Sequence, residues 1–263
     1  MKYLLCVASF EGDKQIFFDK FISSRNKEFA SVQGYEYIEI REKQSFRNSG
    51  TWLKLYNVKK LIDSSFVKEG DHITVIDADM CLVDARYPLI SDKPFTYAID
   101  SCNTHCMGYY SIKICDWSIK FINELLNEEN YLKNGNNDFW KMWAEQSSLY
   151  YITGLQRHSD IPFFELPNFG YGLDNRLETV YTPQELLENI EIRNVNYNVT
   201  YVFSDIDPIN LMIEQYYINK NEYENIIIRH WAGGQMWNEK YFQIHGNSDN
   251  SNVHTHCPPE IGH

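Results

Sequence analysis

The stretch Ile73-Thr74-Val75-Ile76-Asp77-Ala78-Asp79 reads as a buried strand that ends in two carboxylates one residue apart. Side chains at i and i+2 of an extended segment leave it on the same side. Asp77 and Asp79 therefore form a DxD pair able to hold one hard divalent cation, which prefers oxygen ligands and often shares them with substrate phosphates. Left unneutralised, two carboxylates this close repel each other. The pair points to chemistry on a nucleotide-linked substrate.

The rest of the chain sets bounds on that reading. Its 263 residues, 43% hydrophobic and 15% aromatic, suffice for one full core. We expect a single domain over 1–245 and a polar C-terminal tail over 246–263. A formal charge of −12 argues against nucleic-acid binding, which needs a basic face. It also repels an anionic donor, so a bound cation and a few local Lys or Arg must reverse the field at the site. The apolar run Tyr3–Ala8 is too short to span a bilayer and reads as the first strand. Six cysteines (Cys6, Cys81, Cys102, Cys106, Cys115 and Cys257) form no disulfide framework, which fits a reducing, cytoplasmic compartment. Cys102, His105, Cys106 and Cys115 match no common zinc spacing.

Apolar runs alternate with amphipathic segments along the chain. Strands are predicted over 2–9, 35–40, 71–76, 95–99, 108–114, 199–203 and 224–228. Helices are predicted over 15–29, 52–62, 116–126 and 139–152, and from Asp207-Pro208 toward Tyr217. In the first helix Ile16, Phe17, Phe21, Ile22 and Phe29 are the expected core positions. In the second these are Leu53, Tyr56, Val58 and Leu61. In the third they are Trp117, Phe121, Ile122 and Leu125. Thr182-Pro183-Gln184-Glu185 is a capping box with Pro at the first helical position. This β–α alternation predicts an α/β fold with a central sheet between helices. Ligands in such sheets sit at the carboxyl ends of strands, where Ser9, Asp77 and His230 are expected.

A second acidic pair, Asp205-Ile206-Asp207, precedes Pro208 and a helical run, so Asp207 reads as an N-cap. His230 is followed by Trp231, Ala232, Gly233 and Gly234. A lone His after a strand is commonly a packed or surface group, but two glycines let backbone approach an anion closely. Glu145-Gln146 alone reads as a polar helix end. Lys54, beside Leu53 and Tyr56, reads as solvated.

Taken in order, these segments resemble a known family. Asn26-Lys27-x-Phe29-Ala30 with Gly34-Tyr35, Trp52-x-Lys54-Leu55, Asp77-Ala78-Asp79, Gly108-Tyr109-Tyr110 with Asp116-Trp117-Ser118, Glu145-Gln146-Ser147-Ser148-Leu149 and His230-Trp231-Ala232-Gly233 match its blocks. The chain is similar to retaining GT-A-fold glycosyltransferases, namely the galactosyl/mannosyl/xylosyl transferases of fungal Golgi and plant xyloglucan synthesis and the small chlorovirus-type viral enzymes. The resemblance spans about Val7 to Gly234. It implies a GT-A (Rossmann-like), mixed but mainly parallel sheet flanked by helices. It implies Mn²⁺ or Mg²⁺ held by Asp79 and His230, with Asp77 on the metal or the ribose. Glu145 and Gln146 would face the anomeric carbon as the catalytic pair. Ser9, Lys54, Asp77, Ala78 and Gly233 would contact the nucleotide-sugar donor. Cys106 stands where the family has Asn, and Glu145 where it often has Asp. Gln235 replaces a common Lys, which removes a diphosphate counter-charge.

The function these features imply is transfer of a sugar from a nucleoside diphosphate sugar, with UDP-sugar expected, to a glycan hydroxyl with retention. The eukaryotic members carry a membrane anchor and this sequence shows none, so a bacterial or viral cytoplasmic enzyme is expected. An inverting enzyme on the same fold would need a base such as Asp174 or Asp138. A catalytically inactive carbohydrate-binding protein and a nucleotidyltransferase are the other classes. The second lacks its Gly-rich phosphate loop after the first strand, where this chain has Ser9-Phe10-Glu11-Gly12.

Overall fold

The computed structural model describes residues 1–9, 15–16, 18–42, 51–82, 89–100, 105–127, 130, 145–153, 181–201 and 228–232. The chain opens with β1 (Lys2–Ala8). A π-helical turn, Phe18–Ser23, then runs into α1 (Ser24–Gln33). After β2 (Glu36–Arg41) and α2 (Trp52–Asp63) come β3 (His72–Asp77) and the three-residue β4 (Met80–Leu82). Next are β5 (Phe95–Asp100), β6 (His105–Lys113), α3 (Asp116–Leu126) and α4 (Glu145–Thr153). The last described elements are α5 (Pro183–Asn189), β7 (Ile190–Tyr201) and β8 (Ile228–Ala232).

The strands form one eight-stranded sheet in the order β2-β1-β3-β6-β5-β7-β8-β4. Neighbours β2/β1, β1/β3, β5/β7 and β7/β8 are parallel, and β3/β6, β6/β5 and β8/β4 are antiparallel. The sheet is thus mixed with a bare parallel majority, as expected. Both faces are covered, which is why β1 is apolar nearly end to end. Tyr3, Leu5 and Val7 join Ile73, Val75, Phe95 and Tyr97 in a core closed by Trp52, Leu55 and Val58 of α2 and Phe121, Ile122 and Leu125 of α3. On the other side α1 packs against β2 and β4.

Several predicted elements shift. Ile16 is exposed and Phe18 is fully buried in its place. Phe18 and Ile22, four residues apart, share the buried face, and Ile16, two residues before Phe18, falls on the opposite side. Phe29 and Ile22 are buried as expected. In α2 the burial is broader than a stripe: Trp52, Leu53, Lys54, Leu55, Asn57 and Val58 are all inside. Tyr56 and Leu61 are only half-buried. α3 has the predicted bounds, with Trp117 half-buried and stacked on Phe121. Glu185 N donates to Thr182 Oγ at 3.2 Å, which is one half of the predicted capping box, while Glu185 Oε1 accepts from Trp117 Nε1 at 3.1 Å. The strand predicted at 199–203 begins nine residues earlier, at Ile190. Short β4 has no counterpart in the sequence reading. Gly34, at the end of α1, takes φ 69°, and its N–H caps Ala30 and Ser31, a left-handed cap that glycine accommodates without strain. The tail 246–263, the helix from Asp207, and Asp138, Asp174 and Gly233 lie outside the described residues.

Candidate functional site

Parallel pairing brings the carboxyl ends of β1, β2 and β3 to one edge. Val7 is opposite Asp77, and Ala8 is opposite Arg41. Ser9 follows β1 there and is exposed. Asp77 closes β3, Ala78 and Asp79 make a turn, and the chain leaves at once as β4. Met80 of β4 pairs with His230 of β8. The DxD turn and His230 are therefore neighbours across one strand pair. His230 was expected just past its strand; it sits in the middle of β8 instead, opposite Val199 of β7.

Lys54 is the main departure from the sequence reading. It was expected in solvent and is 3% exposed. Its ammonium donates to Asp77 Oδ1 and, at 3.0 Å, to the Met107 carbonyl. It also lies 3.2 Å from Glu145 Oε1. Burial works against the charge, yet Asp77 and Glu145 outweigh it and hold the Lys54 pKa above the ordinary lysine value. Broken alone, such a buried pair costs several kcal/mol, roughly 3–5, because a charge is left unpaired.

Glu145 and Gln146, expected as a polar helix end on their residues alone, are buried at the start of α4. Gln146 Oε1 accepts from Met107 N at 3.3 Å. Met107 thus receives Lys54 on its carbonyl and Gln146 on its amide, which ties α2, β6 and α4 together. Glu145 Oε2 is buried with no hydrogen-bond partner among the described residues. Tyr110 is fully buried nearby. Burial pushes its phenol pKa up, Glu145 and Asp77 add to the rise, and Lys54 opposes it.

One residue with no assigned role is prominent here. Asn26 of α1 is fully buried. Its Nδ2 donates to the Met80 carbonyl and its Oδ1 accepts from Leu82 N, each at 3.0 Å. The available signal was a polar residue in line with Ile22, Phe29 and Ala30 on a helix's buried face.

The donor set suits a hard cation. Lys54 faces two carboxylates, Asp77 and Glu145, and Asp79 lies in the same turn, so negative charge is in excess among the described residues there, and strand register brings His230 alongside. Among the described residues no group of three His, Cys, Asp or Glu is placed to hold a metal ion. The cysteine cluster gains no support: Cys106 lies near the start of β6 and Cys115 two residues beyond its end, at the N-cap of α3, with about 3.3 Å per strand residue between them.

The chain is similar to solved glycosyltransferases. One is involved in glycosylating the major capsid of the virus PBCV-1, with 10% identity, coverage of 89% of this chain and 93% of that one, and a TM-score of 0.48. GlyE of Streptococcus pneumoniae TIGR4 shares 11% identity over 90% of this chain and 56% of its own, with a TM-score of 0.44. The galactosyltransferase LgtC, solved with donor and acceptor sugar analogues, shares 10% over 89% and 87%, with a TM-score of 0.37. No family model and no curated protein matches the sequence. Among the described residues no helix is long and apolar enough to cross a membrane.

Proposed function

We propose that the protein is a metal-dependent glycosyltransferase that moves a sugar from a nucleoside diphosphate sugar, with a UDP-sugar as the expected donor, to a glycan hydroxyl. The observation that carries the reading is the sharing of buried Lys54 between Asp77 and Glu145, with Asp79 in the same turn and His230 in register beside it. The lysine is already committed to two carboxylates. A diphosphate approaching this edge would meet net negative charge and needs a cation there.

Asp79 and His230 would hold Mn²⁺ or Mg²⁺, with Asp77 reaching the metal or the ribose. When bound, the cation would act as a Lewis acid on the departing diphosphate. Ser9, Ala78 and Gly233 would lie along the donor. Lys54 would act on Asp77 and Glu145 and not on the donor directly, since its ammonium is already engaged by them. Glu145 Oε1 is held by Lys54, which leaves Oε2 for the sugar. Positive charge that develops at the anomeric carbon would be stabilised there, as in glycoside hydrolysis. Gln146, braced on Met107 N, would hold the start of α4 against that position. Attack from the face of the departing group gives retention, which NMR of the product anomer tests.

Metal-dependent hydrolysis or transfer of nucleotide sugars, compared between wild type and Asp79→Ala, tests the core of the proposal. Loss of turnover in the variant is expected. Unchanged turnover overturns the metal assignment.

A further inference from the structure

We infer that Asn26 is a positioning residue for the metal-binding turn: its side-chain amide acts as a one-residue neighbouring strand that sets where β4, and with it Asp79, sits against His230. The inference rests on the proposed role of Asp79 and His230 as ligands.

β4 is the last strand of the sheet and only three residues long. One edge meets β8, and the other meets no strand among the described residues. Unpaired backbone groups buried at such an edge are costly. That edge carries the backbone groups of Met80 and Leu82, and of these Asn26 takes the Met80 carbonyl and the Leu82 N–H. A primary amide carries a donor and an acceptor in one plane, which matches a carbonyl at i and an N–H at i+2. The partners also fix which end is which, since the carbonyl needs the NH₂ and the N–H needs the oxygen.

Groups of residues i and i+2 point to one edge of a strand, so those of Cys81 face β8. Met80 and His230 are then a non-hydrogen-bonded pair, the kind in which Cα atoms approach to about 4.5 Å. Three residues specify register weakly, and a slip of one residue moves a strand by about 3.3 Å and turns its side chains over. Metal–ligand distances tolerate only about 0.2 Å. Asn26, 54 residues from its Met80 partner in sequence, removes that freedom from the far side of the turn.

Binding of Mn²⁺ alone, read by electron paramagnetic resonance of the free ion, tests this on full-length wild type, Asn26→Ala, Asn26→Asp and Asp79→Asn. Cooperative melting in EDTA is recorded for each. Asn26→Asp keeps an acceptor for Leu82 N–H but turns an oxygen toward the Met80 carbonyl. Expected is Mn²⁺ binding at least tenfold weaker in both Asn26 variants while they melt cooperatively without metal. Wild-type Mn²⁺ affinity in a folded Asn26→Ala overturns the inference alone. Loss of the fold in both Asn26 variants also overturns it, because the residue then supports the domain and not the turn. A wild type that takes up no Mn²⁺, or an Asp79→Asn that binds it normally, overturns the underlying metal reading as well.

Discussion

Lys54 Nζ lies 3.2 Å from Glu145 Oε1, and both side chains are almost fully buried. The same ammonium is hydrogen-bonded to Asp77. One charge therefore couples the turn after β3 to the start of α4. Lys54→Met strands two carboxylates and is expected to cost about 3–5 kcal/mol in urea unfolding. Lys54→Met combined with Glu145→Gln should lose less than the sum of the single changes, since one stranded charge is gone. Additive losses would mean that the pair contributes nothing to stability.

Glu145→Gln separates folding from chemistry. The amide keeps the size of the side chain and can still accept from Lys54 through its oxygen. Nucleotide-sugar binding should survive while transfer falls by about 10²-fold or more, the scale of losing a group that stabilises transition-state charge. Near-normal transfer by the variant would remove Glu145 from the chemistry.

Asn26, Lys54 and Met107 show what the sequence left hidden. α3 was legible to the residue because Phe121, Ile122 and Leu125 keep a helical period. β3 was legible because four β-branched residues precede the acidic pair. Lys54 looked solvated because periodicity says nothing about a partner 23 or 91 residues away; only the fold brings Asp77 and Glu145 to it. β4 is too short to leave a pattern, and its existence depends on β8 and on Asn26. Ile16 differs because the buried face runs through Phe18 and Ile22, and the run of apolar residues at 16–18 does not say which of them faces inward. The DxD turn, His230 and Glu145 could be named from motif order, but their mutual geometry is a property of strand pairing.

Glu39 on β2 gives a pH test away from the site. Burial pushes its carboxyl pKa up, but hydrogen bonds from Ser23 and Arg41 and the charges of Arg41 and Lys27 hold it below the ordinary value. A depressed carboxyl contributes stability that is present above its unfolded pKa, about 4.3, and is lost as pH falls through the folded one. Glu39→Gln should cost about 1.5–3 kcal/mol at pH 7, the range of hydrogen bonds to a charged group. The gap between wild type and variant should close below about pH 4. A gap independent of pH would contradict the shift.

Phe121 joins three parts of the core. Its ring centroid lies 4.9 Å from Phe95, 4.8 Å from Trp117 and 5.5 Å from Tyr181. Phe121→Ala is expected to destabilise by about 3–5 kcal/mol through lost burial and the cavity left behind. Chemical denaturation checks this, and a loss under about 1 kcal/mol would mean that the cluster repacks.

The most direct measurement for the proposed function is the melting temperature of wild type with each nucleoside diphosphate and nucleotide sugar, with and without Mn²⁺. A ligand at a hundred times its dissociation constant stabilises the native state by about 2.7 kcal/mol, a shift of several degrees in a chain of this length. The expected result is a shift with one nucleoside diphosphate that requires Mn²⁺ and disappears in Asp79→Asn. The contradicting result is no shift with any nucleotide in the presence of Mn²⁺, or one that Asp79→Asn leaves unchanged.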